Sequence, residues 1–218
     1  IMEMDLNPLI VDENGAIAAD ARIVIDHAAS ATGDRYAHMA IYPYPVHLIQ
    51  EWQMNDGKVV IIRPIRPEDA ELEQEFVKNM SDESRYYRFM DTLRELTQTM
   101  LVRFTQIDYD REMALVAVMT DDEGKESQIG VARYVGNPDG ESVEFALAVG
   151  DDWQKCGVGR KLMTALIECA RMKGYRAVVG DVLSTNSKMF RLMTSLGFSI
   201  HPHPDDTAVK RVVKPLTG

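Results

Sequence analysis

The chain has 218 residues, 45% of them hydrophobic, with 34 acidic and 24 basic side chains for a formal net charge of −10. That supplies the core of one ordinary domain plus appendages, while the acidic balance argues against a nucleic-acid partner, which would leave a basic stripe. No apolar run approaches the roughly 20 residues of a membrane span, no secretory leader is visible, and a start at Ile1 suggests a piece of a longer chain.

Met4 to Asp12 and Ala18 to Val24 read as two strand-like runs joined by a turn at Glu13-Asn14-Gly15. The pair resembles the last hairpin of the ATP-grasp domain in nucleoside-diphosphate-forming acyl-CoA synthetases. That resemblance puts Asp5 and Asn7 near the family's metal–nucleotide site. Residues 1–26 match only a remnant of such a domain, so no nucleotide chemistry is expected from them. Residues 27–57 are mixed in composition, with Tyr42-Pro43-Tyr44-Pro45 breaking regular elements, and read as a connector. Residues 58–218 read as the main domain. Within it Pro67 to Asn79 has a partly helical periodicity in Ala70, Leu72, Phe76 and Val77. Ser81 is placed to cap a helix through Arg85-Tyr86-Tyr87-Arg88-Phe89, and Thr97 to Gln106 reads as another. Glu112 to Met119, Gln128 to Val135 and Ser142 to Val149 follow as strands. Turns at Asp121-Asp122-Glu123-Gly124 and Asn137-Pro138-Asp139-Gly140 make them an antiparallel meander.

After the apolar stretch Phe145 to Val149 comes Gln154-Lys155-Cys156-Gly157-Val158-Gly159, running straight into helix-like Arg160 to Ile167. A strand, a glycine loop and a helix start form an anion site. Glycine lets the backbone approach a ligand, and the first-turn N–H groups have no intrahelical partner. Two glycines also mark simple tight turns, so the loop alone does not decide. A Walker loop would need Gly-Lys-Ser/Thr where Gly159-Arg160-Lys161-Leu162 stands. A dinucleotide fingerprint would need a third glycine and a parallel unit, although Asp181 has roughly the right offset for its acid.

The loop resembles motif A of the GNAT N-acetyltransferase superfamily, Gln/Arg-x-x-Gly-x-Gly/Ala, which holds the pyrophosphate of acetyl-CoA. Lys58 to Ile65 leading into Arg63-Pro64-Ile65-Arg66-Pro67-Glu68-Asp69 is similar to that family's first strand. Ala177 to Leu183 resembles its fifth, and a helix opened by Asn186 closes on the usual Leu196-Gly197-Phe198. The resemblance covers Lys58 to Lys214. It implies an α/β fold, a mixed, mostly antiparallel twisted sheet of six or seven strands with about four helices, and acetyl-CoA as cosubstrate. Phe104 to Leu115 (Phe104-Thr105-Gln106-Ile107-Asp108-Tyr109-Asp110-Arg111-Glu112-Met113-Ala114-Leu115) further resembles bacterial protein lysine acetyltransferases whose GNAT domain follows an acyl-CoA-synthetase-like body. That arrangement matches the upstream hairpin. It implies a cytoplasmic enzyme acetylating the reactive lysine of acetyl-CoA synthetase or a related acyl-CoA ligase. A small-amine acetyltransferase and a non-catalytic acyl-CoA sensor are the competing expectations.

Acetyl transfer to lysine needs a neutral amine. With a pKa of about 10.4, roughly one lysine in 2,500 is neutral at pH 7, a deficit of about 4.6 kcal/mol that a general base offsets. Alternation in Ser142 to Val149 puts Glu144 on one face with Ala146 and Ala148, and the resemblance places the catalytic glutamate at Glu144. A solvated strand glutamate is the plain alternative. The resemblance assigns the backbone of Leu147 and Val149 to the pantetheine arm or acetyl carbonyl. It gives Gln154, Lys155, Cys156, Gly157, Val158, Gly159 and Arg160 to the pyrophosphate, with Lys155 and Arg160 equally explained as solvated cations. Asn186 matches a CoA-arm contact and also suits an N-cap. Where many relatives carry a tyrosine that protonates the thiolate, this chain has Met193, so the acid is water, another residue such as Ser187, or none. Cys169 lies on an apolar helix face and reads as a core residue, and Cys156 lies in the loop. His201 and His203 flank Pro202 without a third ligand and read as strand-end residues, so no metal is expected.

Overall fold

Residues 3–13, 15–24, 42–121 and 123–216 are described by a computed structural model. The chain divides into two units, residues 1–43 and 44–218. In the first, β1 (Glu3–Leu6) pairs antiparallel with β4 (Ala21–Val24), and β2 (Leu9–Asp12) with β3 (Gly15–Ala18). This is one hairpin in two ladders, interrupted at Pro8, whose nitrogen has no hydrogen to donate. Its apolar side chains are bare to solvent: Ile10, Val11 and Ile17 are 60, 67 and 72% exposed. Asn14 of the expected turn, residues 25–26 of the expected remnant and residues 27–41 of the expected connector lie outside the described residues.

The second unit carries β5 (Gln50–Gln53), β6 (Val59–Pro64), α1 (Ala70–Asn79), α2 (Asp82–Phe89), α3 (Gln98–Thr105), β7 (Glu112–Thr120) and β8 (Glu126–Gly136). It continues through β9 (Ser142–Val149), α4 (Val158–Met172), β10 (Ala177–Leu183), α5 (Ser187–Ser195), β11 (Ser199–Pro202) and β12 (Val209–Pro215). Eight strands make one sheet in the order β11-β12-β10-β9-β8-β7-β6-β5, antiparallel except for β9 beside β10. The expectation of six or seven strands is corrected by β5. It lies in the stretch read as connector, yet it pairs with β6, and Tyr44 Oη donates to Pro64 O at 2.9 Å. Prolines 43 and 45 stand before this strand rather than in it. Five helices form where the resemblance implies about four, and the first two part where the Ser81 cap puts the break: the chain turns extended at Met80 (ψ 147°) and restarts at Ser81, whose Oγ accepts from Ser84 N–H at 3.2 Å.

Both faces of the central strands are covered, so β7 is buried from Met113 to Val118 without alternation. On one face Phe76 and Val77 of α1 and Leu101 of α3 pack with Ala114, Val116, Val131 and Ala148. On the other, α4 buries Val158, Leu162, Leu166 and Cys169 at helical spacing. Burial pushes the Cys169 thiol up to about 11, so it behaves as the core residue expected of it. Beneath the first core, Arg63 Nη1 and Nη2 grip Asp69 at 2.6 and 2.8 Å, both residues 3% exposed. Among the described residues, no helix is long and apolar enough to cross a membrane.

Candidate functional site: a cleft where two parallel strands part

The pairing of β9 with β10 lasts only three residues, Ser142↔Ala177 to Glu144↔Val179. Beyond Glu144 the strands separate. Backbone bonding to β8 shows what the free edge offers. Gly150 N–H donates to Ile129 O, and Asn137 N–H to Ser142 O, so even-numbered positions of β9 turn their amides to β8. By antiparallel alternation, Leu147 and Val149 turn theirs to the gap.

The gap leads to the start of α4. Gly157 has φ 92°, a left-handed conformation that a side-chain-bearing residue adopts only with strain, and Lys155 has φ 66°. The first intrahelical bond runs from Lys161 N–H to Gly157 O at 2.9 Å, which leaves the amides of Val158, Gly159 and Arg160 without intrahelical partners. Neither a side-chain cap nor an acidic first-turn residue opposes an incoming anion. Gly159 lets α4 close in, because a Cβ there would lie 3.4 Å from both Val149 and Leu192 side chains.

Gap and helix start belong to one cleft of about 340 Å³. Of the expected cofactor residues, Leu147, Val149, Gln154, Lys155, Gly157, Gly159, Arg160 and Asn186 line it. Val158 and Cys156 do not. Val158 is fully buried beneath the loop, and Cys156 is exposed with its Sγ 3.6 Å from Gln154 O. Both still contribute backbone to the loop. Asn186 is an N-cap, its Oδ1 accepting from Met189 N–H at 3.0 Å. Arg160 donates to Ser195 Oγ at 2.7 Å. Gln154 ties the loop to its surroundings, donating to Ser84 Oγ at 3.2 Å and accepting from Lys188 Nζ at 3.0 Å. Asp151 extends that network, accepting from Ser81 N–H and Ser84 Oγ at 2.7 Å each. Burial alone would raise its carboxyl. The Ser81 amide and the Ser84 and Ser81 hydroxyls outweigh that and hold it below the ordinary range.

Glu144 sits at the point of separation, exposed, on the sheet face that carries Ala146 and Ala148. It does not line the cleft, whereas Ala148 does. Four strand residues, about 14 Å, separate the two. The other groups around Glu144 are charged rather than apolar. Asp181, two residues past Val179, receives Arg211 Nε and Nη2 at 2.9 and 2.8 Å, and His203 Nε2 lies 3.5 Å from it. The Asp181 hydrogen bonds, with Glu144 and Asp205 nearby, raise the Arg211 pKa. His203 Nδ1 accepts from the amides of Asp205 and Asp206.

This geometry has close counterparts. A family profile described as an acetyltransferase (GNAT) domain matches residues 60–199. The chain belongs to the GNAT acetyltransferase family. An acetyltransferase of Pseudomonas aeruginosa, PA5475, is 34% identical over 154 residues, covering 71% of this chain and 82% of that protein. The acetyltransferase Pat of Mycolicibacterium smegmatis is 34% identical over 159 residues, 72% of this chain but 44% of Pat, so the chain spans under half of that relative. The solved GNAT domain of Streptomyces lividans PAT superposes with a TM-score of 0.71 at 28% identity, covering 79% of this chain and 99% of that one. The chain is therefore a GNAT-type acyltransferase, and its acyl donor is acetyl-CoA. The residues fit that donor: unopposed helix amides suit its phosphates, and the Leu147 and Val149 edge suits its amide-bearing arm.

Other cleft-lining residues of this GNAT domain escaped sequence reasoning. Met80, Ser84, Tyr87 and Arg88 come from the first core and α2, and Trp153, Lys188, Met189 and Leu192 from around the loop and α5. Tyr87 Oη lies 3.3 Å from Glu83 Oε1 and 3.5 Å from Thr185 O, bridging from α2 to the chain beyond β10. Met193 is completely buried, pointing to the core rather than the cleft. The only sequence signal for α2 was its cap and its amphipathic run, which say nothing of what it faces.

Proposed function

We propose that this chain transfers acetyl from acetyl-CoA to the Nε amine of a protein lysine by direct attack, in the cytoplasm. The target would be the reactive lysine of an acyl-CoA-synthetase-like enzyme. The observation that carries the reading is the parting of β9 and β10 beyond Glu144, which opens the β9 edge from Glu144, beside Asp181 of β10, toward the donor cleft. A carboxylate-bearing face suits a cationic acceptor, and 34% identity to Pat points the same way.

The bound thioester supplies the electrophilic carbonyl. Glu144 takes a proton from the incoming ammonium or amine, a step worth typically 10²–10⁴-fold. The Leu147 or Val149 N–H donates to the carbonyl oxygen as charge builds there. Tyr87, whose hydroxyl is held only by long contacts, gives its proton to the departing sulfur in place of the tyrosine that Met193 replaces. Residues 1–26 we read as the close of an ATP-grasp-like body. Its exposed Ile10, Val11 and Ile17 suit a hairpin that packs within a larger sheet.

Thiol release from acetyl-CoA in the presence of a purified acyl-CoA synthetase, with mass spectrometry of the acetylated lysine, tests the proposal. Release that depends on the protein supports it. Release with polyamines alone replaces it by a small-amine enzyme, and tight CoA binding without turnover replaces it by a sensor. Glu144→Gln is expected to lower kcat by about 10²–10⁴-fold with donor affinity retained. Unchanged turnover at neutral pH would remove Glu144 from the role.

A further inference from the structure

Where α2 borders the cleft, the structure holds more positive charge than neighbouring carboxylates neutralise. Glu73, 2% exposed, is fully engaged: Oε1 takes Arg133 Nη2 at 3.2 Å and Oε2 takes Gln128 Nε2 at 2.5 Å. Arg133 is buried above β8, opposite Ala146, with its guanidinium 4.3 Å from the Phe104 ring. Arg88 of α2 is the second guanidinium in this cluster. It lies 4.9 Å from the Phe89 ring and 5.9 Å from the Phe104 ring, and it lines the cleft together with Leu147 and Ala148. Among the described residues, no hydrogen bond or ion pair joins Arg88 to a carboxylate. Burial, with Arg133 alongside, lowers its pKa to about 10, which still leaves it charged at neutral pH.

Glu112 and Arg103 also act on Arg133, with opposite signs. Two guanidiniums then share one carboxylate, in a protein whose net charge is −10. A half-buried cation with only a shared counter-charge is under-compensated, and ring faces offset only about 0.5–2 kcal/mol of that cost. A planar fork that lines a substrate cleft has one well-matched partner class, since guanidinium and carboxylate pair through two parallel hydrogen bonds.

We infer that Arg88 binds a carboxylate carried by the acceptor, so that the enzyme selects amines with an acid group close by. The inference rests on the lysine reading above and narrows it. The acceptor's amine meets Glu144 on the acidic side of the face, and its carboxylate meets Arg88 on the basic side. Both residues project from the same side of the sheet, where α2 packs over β9. The carboxylate has two sources: an aspartate or glutamate neighbouring the target lysine in a protein, or the α-carboxylate of a free amino acid.

The test compares each acceptor with its carboxylate-free twin. Lysine peptides in which a single glutamate is walked along the sequence are set against glutamine controls, and free lysine against cadaverine. The readouts are kcat/KM and, for CoA-loaded protein, peptide binding by fluorescence anisotropy. The wild-type protein is expected to prefer glutamate over glutamine about 10–100-fold at one position, the range of a charge-assisted pair. Arg88→Met abolishes that ratio, and Arg88→Lys, which keeps the charge but loses the fork, retains part of it. The ratio is internal to each variant, so a general loss of folding or activity does not imitate the result. A preference for lysine over cadaverine with every peptide silent would keep the carboxylate site and discard the protein substrate. Equal ratios in wild type and Arg88→Met, or no preference in either acceptor series, overturns the inference.

Discussion

The two halves of the cleft are built from different materials. The donor half is backbone: the edge of β9, the left-handed Gly157 and the uncapped first turn of α4. The proposed acceptor side is side chains: Tyr87 and Arg88 of α2, which line the cleft, and Arg133, Glu144, Asp181 and Arg211 on the adjoining strands β8, β9, β10 and β12, which do not. A backbone site recognises what every donor of the family shares, and it depends on chain geometry more than on residue identity. A side-chain site is free to vary with the acceptor. Substitutions in the two halves should therefore fail in different ways.

The sharpest break is expected at Gly157. With φ 92°, any β-branched side chain strains the loop by about 1–3 kcal/mol and swings the first-turn amides off the phosphates. Gly157→Val should lower kcat/KM for acetyl-CoA about 100-fold, and equally for every acceptor. A loss that depended on the acceptor would dissolve the division between the halves. Tyr87→Phe is the converse test, since it removes one proton donor on the acceptor side. We expect a fall of about 10-fold in kcat, with donor KM nearly unchanged and a larger effect for poorer leaving groups; this is below the roughly 10²–10⁴-fold of general-acid catalysis because a thiolate of pKa about 8.5 also leaves unassisted. A tyrosine that only braced α2 would change thermal stability and leave that leaving-group dependence flat.

The same division governs what could be read in the sequence. Gln154 to Gly159, the N-cap at Asn186 and the alternation of Ser142–Val149 are local, and each appears in the structure where short-range spacing put it. Their chemistry is carried by residues a few positions apart. Glu144 was placed on the correct face by alternation, but its neighbours were not. Asp181 and Arg211 reach it only because β10 and β12 join the sheet in register. Arg88 looked like any arginine on a short amphipathic helix. What distinguishes it is that Glu73 of α1 is already taken by Gln128 and Arg133 of β8, 55 and 60 residues further along the chain. Strand β5 was obscured for another reason: two prolines just before it outweighed a four-residue pattern whose Trp52 lies beside Gly157.

Asp151 joins the halves, and its predicted effect is the smallest. Its carboxylate accepts from Ser81 and Ser84 at the start of α2 and from Gln154 of the donor loop. Because those donors depress its folded pKa below the unfolded value of about 3.9, its contribution to stability is fully present above that value. It is lost as pH falls through the lower, folded value. Asp151→Asn removes the charge and turns one acceptor into a donor facing the Ser81 amide. At neutral pH this should cost about 1 kcal/mol, or roughly 2–4 °C in Tm for a domain of this size. Thermal melts of both proteins across the acid range should show that gap closing as the wild-type carboxylate protonates, with the variant's own profile flatter below about pH 4. A gap that stayed constant into strong acid would mean that Asp151 acts through shape alone, leaving the register between α2 and the glycine loop to the Gln154–Ser84 contact.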